Sequence, residues 1–295
     1  MIIDVHSHAP RYRTPPQVRA ASPDVAAMRP GRPNLEFYTW DDYLKAMEPV
    51  DRAVCFNIAA GPPGDRRDGE NVVFLDDARK INDEVAEFVQ SYPGKLIGFL
   101  SVHPRDPRAL EEIERATGDL GLRGIKLGPN YQNFDPVGED AFRVYRRAQE
   151  LGLPILFHQG TSPVRFADLD YAHPRHIDRV AAAFPDLRVV IAHVGHPWHA
   201  DCCAVIRKHP NVYADVSGNF YRPWSYYTGM RLATEWGVLH KLLFGSDFPV
   251  ATPAETMAAI YRVNDPIAGT GLPPVPIDEF EKLIHRDSLA LLGLE

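Results

Sequence analysis

The chain has 295 residues, 45% of them apolar and 10% aromatic, with 32 Lys and Arg against 39 Asp and Glu, a formal charge of −7. This acidic balance, without a Lys/Arg run, excludes a nucleic-acid or membrane-surface role. No apolar stretch approaches the roughly 20 residues that span a bilayer.

Asp4, His6 and His8 interrupt any secretory core near the start. The cysteines, Cys55, Cys202 and Cys203, are odd in number and form no disulfide framework. A reducing, cytoplasmic location is expected.

Short apolar runs alternate along the chain with longer amphipathic ones. Strands are expected at 1–6, 53–58, 96–102, 124–127, 155–158, 189–193, 212–216 and 242–244. The first helix, 40–47, follows Thr39, a good N-cap. The helix at 71–91 stops at Pro93-Gly94, 107–120 ends near Gly118 and Gly121, and 139–151 stops at Gly152. Helices at 174–184, 200–208, 224–236 and 253–262 follow, and 277–292 reads as one closing helix.

Alternating β and α units imply a parallel sheet with right-handed crossovers. Eight such units favour an α/β fold closed into a (β/α)8 TIM barrel, one domain over 1–295. No G-x-G-x-x-G signature points to a dinucleotide-binding sheet. Polar residues recur at the C-terminal strand ends: His6 and His8, Asn57, His103, Lys126, His158, His193, Asp215 with Ser217, and Asp247. Barrel enzymes build their sites on that rim. The long loop 9–38, carrying Arg11, Tyr12, Arg13, Arg19, Arg29 and Arg32, emerges on the same face as a lid, or else as a surface or oligomer contact. The loop 58–69 is also long.

His6 and His8 stand two apart on a strand, so they share a face and can grip one ion. With His158 and Asp247 they offer an N3O set suited to a divalent metal, zinc first and manganese as the alternative. Such an ion lowers the pKa of a bound water toward about 7 and polarises a carbonyl. Asp247 is then both ligand and base, and His193 a further ligand or a catalytic acid. A lone histidine at a strand end is ordinarily structural; a set on one rim is not.

His196 is balanced between substrate contact and loop residue, and His199 leans to the latter. His103 is expected to order its own loop. His173, His176, His209, His240 and His285 read as structural or solvated. Lys126 has three readings: a substrate or electrostatic role, a carboxylated bridge between two metals, or a structural lysine paired with Asp4 or another carboxylate. Arg222, Tyr221, Trp198 and Tyr131 are candidate substrate contacts, with Phe220 and Trp224 nearby. Together they suit a small, planar, anionic molecule such as a carboxylated ring or a dicarboxylate, unless the aromatics only pack their helix.

The ordered set Asp4-Val5-His6-Ser7-His8, Gly124-Ile125-Lys126-Leu127, Leu156-Phe157-His158-Gln159-Gly160, Ala192-His193-Val194-Gly195 and Gly245-Ser246-Asp247-Phe248-Pro249 resembles the amidohydrolase superfamily. Within it the set resembles the amidohydrolase-2 branch, which includes relatives of aminocarboxymuconate-semialdehyde decarboxylase. The resemblance implies His6 and His8 as the first metal pair, His158 as the fifth-strand ligand and Asp247 as ligand and base. It implies His193 as a catalytic residue in mononuclear members or a ligand in binuclear ones. The loop after Lys126, Gly128-Pro129-Asn130-Tyr131-Gln132-Asn133-Phe134, departs from the pattern and leaves lysine modification open. Homodimers are common in the family.

Hydrolysis of a lactone, ester or amide is the first expectation, because it asks only for metal and water. Non-oxidative decarboxylation of an aromatic or unsaturated acid is the alternative. A metal-free ligand-binding barrel is a third, disfavoured by the full ligand set.

Overall fold

Among the described residues, eight parallel strands follow one another around a common core. The structure, a computed structural model, describes residues 1–17, 29, 31, 37–62 and 75–295. Arg19, Arg32 and most of the expected lid lie outside these residues, as does most of the loop 58–69. The described strands are β1 (Ile3–His8), β2 (Arg52–Phe56), β3 (Ile58–Ala59), β4 (Leu75–Asp76), β5 (Leu96–Gly98), β6 (Ile125–Leu127), β7 (Ile155–Phe157), β8 (Val189–Ile191), β9 (Val212–Asp215) and β10 (Leu242–Leu243).

One sheet runs β1-β2-β5 and a second runs β10-β9-β8-β7-β6, while β3 and β4 pair apart. Hydrogen bonds bridge both gaps between the two sheets. On one side Leu100 N donates to Gly124 O at 2.8 Å and Lys126 N to Leu100 O at 2.7 Å. On the other, Val5 N donates to Phe244 O at 3.0 Å and Asp247 N to His6 O at 2.7 Å. The ring is that of a TIM barrel, with crossover helices between strands.

The strands are so apolar because both faces are covered. Ile3, Val5, Val54, Phe56, Phe99 and Leu156 pack inside the ring. Their neighbours Ala53, Cys55, Ile125 and Ile155 pack outward against helical residues such as Tyr43, Phe88 and Val144. No described helix is long and apolar enough to cross a membrane.

Several element ends differ from expectation. The first strand reaches His8 rather than His6. The strand expected at 189–193 stops at Ile191, because His193 (φ 58°) and Val194 (φ 48°) leave the extended region. The strand expected at 96–102 stops at Gly98. The helix expected from residue 71 begins at Ala78, after β4, where the Asp77 carboxylate accepts from Arg79 N and Lys80 N. The closing helix is broken into Ile277–Phe280, a 3-10 turn at Glu281–His285, and Ser288–Leu292. Arg286 is extended there, and Asp287 caps the last piece by accepting from Ala290 N. Thr39 caps Trp40–Ala46, with Asp42 completing a capping box.

Candidate active site

The first two histidines owe their placement to a bulge. Asp4 pairs with Ala53 and Ser7 with Cys55, so β1 spends three steps where β2 spends two. Before the bulge, Ile3 and Val5 face the barrel interior. After it, His6 and His8 do, their rings 5.2 and 5.3 Å from that of Phe56. Ser7 turns outward, where its hydroxyl lies 2.7 Å from Tyr43 Oη. Asp4 ties this strand to the segment before Asp247, since its Oδ1 accepts from His6 N and Ser246 N, both at 3.0 Å. Burial raises the Asp4 carboxyl to about 6.

Nitrogen and oxygen atoms of His6, His193 and Asp247 all lie within 4.8 Å of one another. His8 and His158 flank this group. His8 Nε2 is 3.4 Å from Asp247 Oδ1, and His158 Nδ1 is 3.3 Å from His193 Nε2.

Hydrogen-bond partners assign the tautomers. His193 Nδ1–H donates to Ser217 O at 3.1 Å, so its Nε2 is bare and accepts from His158 Nδ1–H. His158 Nε2 is therefore a bare lone pair; it is buried and has no partner among the described residues. His6 Nδ1 donates to Asp215 Oδ2 at 2.9 Å, which turns Nε2 toward Asp247 Oδ1 at 3.3 Å. Two acceptors face each other at that distance unless a proton or cation lies between them.

Burial lowers His193 to about 4 and His158 well below its usual value, so both are neutral donors of a lone pair. Burial would raise Asp247, but the close approach of His6 and His8 to its Oδ1 holds it well below the usual carboxylate range. The donor set, the neutral imidazoles of His158 and His193 with the anionic Asp247 carboxylate and one orphaned lone pair, fits a borderline divalent ion.

Asp215 had been only one more polar rim residue in the sequence. Its carboxylate, held low by His6 against the effect of burial, orients that ring as carboxylates do behind metal-bound histidines. Nothing local in the chain links two residues 209 positions apart.

Lys126 is fully buried, and burial brings it to about 7. Its Nζ sits 3.5 Å from His6 Nε2 and 4.5 Å above the Phe56 ring. The pairing with Asp4, one option of the structural reading, is not formed; the Asp4 carboxylate serves two backbone amides instead.

A cavity opens beside this group, walled by Tyr131, His158, His193, His196, Tyr221, Arg222 and Asp247. The Tyr131 ring lies 4.6 Å from that of His158, and the Arg222 guanidinium 4.6 Å from the Tyr221 ring. Trp198 does not join the wall, against expectation; it packs on His173 at 4.8 Å. Trp224 is 57% exposed on its helix. Arg11 pairs with Asp76 and Glu84, and Arg13 with Glu87, away from the cavity. Arg29 comes nearer, pairing with Glu255 and lying 5.5 Å from the Tyr221 ring. His103 holds Gln132 O at 2.6 Å, ordering its loop.

The 2-amino-3-carboxymuconate-6-semialdehyde decarboxylase of Dictyostelium discoideum is 28% identical over 85 residues, which span 28% of this chain and 24% of that protein. Among solved structures, a dihydroxybenzoic acid decarboxylase from Polaromonas sp. JS666, with bound manganese and 2-nitroresorcinol, has a TM-score of 0.65 at 16% identity over 99% of this chain and 97% of that one. A probable 2-pyrone-4,6-dicarboxylic acid hydrolase from Acinetobacter baumannii, with citric acid bound, has a TM-score of 0.63 at 17% identity, covering 99% of each chain. Several further aromatic-acid decarboxylases share the fold at 16–18% identity. A family model described as amidohydrolase matches residues 3–294, nearly the whole chain, and the protein belongs to that family.

Proposed function

We propose that the protein is a metal-dependent, non-oxidative decarboxylase of a small aromatic or unsaturated carboxylic acid. The observation that carries this reading is the convergence of His6, His193 and Asp247 on one point at the edge of a cavity that also holds Arg222. His6, His8, His158 and Asp247 would hold the ion, with His193 beside it. Similar structures hold manganese or zinc. A divalent ion there supplies Lewis-acid polarisation of substrate oxygens.

The chain's own residues do the rest. Arg222 offers a fixed positive charge to a carboxylate, and Tyr131 and Tyr221 give flat walls for a conjugated skeleton. The scissile C–C bond breaks with its electron pair left on the ring or alkene carbon, and carbon dioxide leaves. Both Asp247 and His193 rest without that proton, so one of them takes a proton from solvent and hands it to that carbon. Sequence alone ranks hydrolysis first; the reactions of the similar proteins move decarboxylation ahead.

Hydrolysis of a C–O or C–N bond is the second reading. The Asp247 carboxylate, kept ionised by His6 and His8, favours it as a base for water.

The test is a panel assay on protein of known metal content. Carbon dioxide release from carboxylated phenols and enoic acids, lost in Asp247→Asn, supports the first reading. Opening of a pyrone dicarboxylate without carbon dioxide replaces it with the second. A homodimer remains an expectation, checked by sedimentation.

A further inference from the structure

Beyond His193 the chain places a second pair of histidines around one hydroxyl. His199, the first residue of the helix His199–Lys208, has its Nδ1 3.1 Å from Val194 O. A carbonyl only accepts, so that nitrogen carries the proton. In the neutral ring Nε2 is then bare, and it meets Ser225 Oγ at 3.3 Å. Ser225 gives its single proton to that lone pair. What Oγ has left is acceptor capacity, and His196 Nδ1 lies 3.0 Å away. His196 therefore donates from Nδ1, and its Nε2 is bare.

Among the described residues nothing bonds to His196 Nε2, and His196 lines the cavity with His193 and Arg222. Burial lowers both rings, His196 to about 4, which keeps them neutral at ordinary pH. The His199 ring is also held from behind. Gly229 leaves room for it, and a Cβ there would stand 3.0 Å from its Cγ and Cδ2.

We propose that Val194 O, His199 and Ser225 lock His196 in its Nδ1–H form, so that its Nε2 accepts a hydrogen bond from an O–H or N–H group of the substrate. The inference rests on this cavity being the substrate site, and not on which bond is broken there. A bare nitrogen discriminates by pairing. It welcomes a donor and opposes an ether or carboxylate oxygen, where two lone pairs would meet. Ser225 and His199 act through His196 and are positioning residues.

The test uses zinc-loaded protein with 15N-labelled histidine. Two-bond nitrogen–proton couplings should report Nδ1–H and a bare Nε2 for His196, assigned by the signals missing from His196→Phe. Calorimetry then compares each monohydroxybenzoate with its methyl ether. At least one hydroxyl compound should bind about tenfold tighter than its ether. That preference should collapse in Ser225→Ala and return in Ser225→Thr, which restores the hydroxyl. An Nε2–H tautomer overturns the proposal, as does a lack of hydroxyl preference, including failure of all six probes to bind. If the decarboxylase reading alone is wrong, the tautomer and the preference survive while carbon dioxide release is absent.

Discussion

Asp215 Oδ2 lies 2.9 Å from His6 Nδ1, inside a site where both side chains are almost fully hidden from solvent. The carboxylate fixes which nitrogen of His6 faces the other candidate ligands. Asp215→Asn should therefore lower metal affinity about 10- to 100-fold, the usual cost of removing such a support. Competition against a chromophoric chelator measures it. Unchanged affinity would mean that His6 is not a ligand.

Arg222→Ala should raise KM and leave bound metal unchanged, since the guanidinium lines the cavity but has no lone pair to give a metal. Elemental analysis beside kinetics separates the two effects. Equal loss of metal would contradict the substrate role. Asp247→Asn, by contrast, should lose both metal and turnover; near-normal kcat would remove Asp247 from the mechanism.

Gly218→Ala should damage the site without replacing any candidate ligand. Gly218 has φ +66°, and a Cβ there would stand 2.8 Å from Asp247 Oδ2 and 3.2 Å from His193 Nδ1. The backbone strain costs about 1–3 kcal/mol, and the carboxylate must move. Thermal unfolding should shift down, and metal content should fall with it. A variant with wild-type metal content would show that the carboxylate has room to retreat.

Much of this arrangement was legible in the chain. Barrel strands are short and apolar on both faces, so the polar residue that ends each one stands out. That is why His6, His8, His158, His193 and Asp247 could be picked as a set. The bulge in β1 could not be picked, because Val5 and His6 give no local sign that the strand changes face between them. Asp215 was visible as a rim residue, but its partner is set by closure of the barrel. Trp198 was misplaced for a related reason: position after a rim histidine does not say which way a side chain turns, and His173 offered it a stacking surface. The closing segment kept its helical periodicity across Arg286, where the backbone is extended.

The thiols give a check on packing away from the site. Burial pushes Cys55 and Cys203 up to about 12 and Cys202 well above its usual value. At pH 8 about one in ten thousand of the first two would be thiolate even if reagent could reach them. Native protein should be nearly inert to a disulfide reagent, and denaturant should release all three thiols. Rapid reaction of one thiol in native buffer would mean that the wall around it opens.

The bulge between Asp4 and Ser7 separates two demands that an unbroken strand would set against each other. Ile3 and Val5 fill the barrel floor, while His6 and His8 face its mouth, and in a regular strand these pairs would lie on opposite sides. One surplus residue lets a single strand serve as both foundation and tool holder. Anyone grafting the histidine pair onto another barrel must carry that residue along, because a transplant of the bare His-x-His would aim both rings at the surrounding helices.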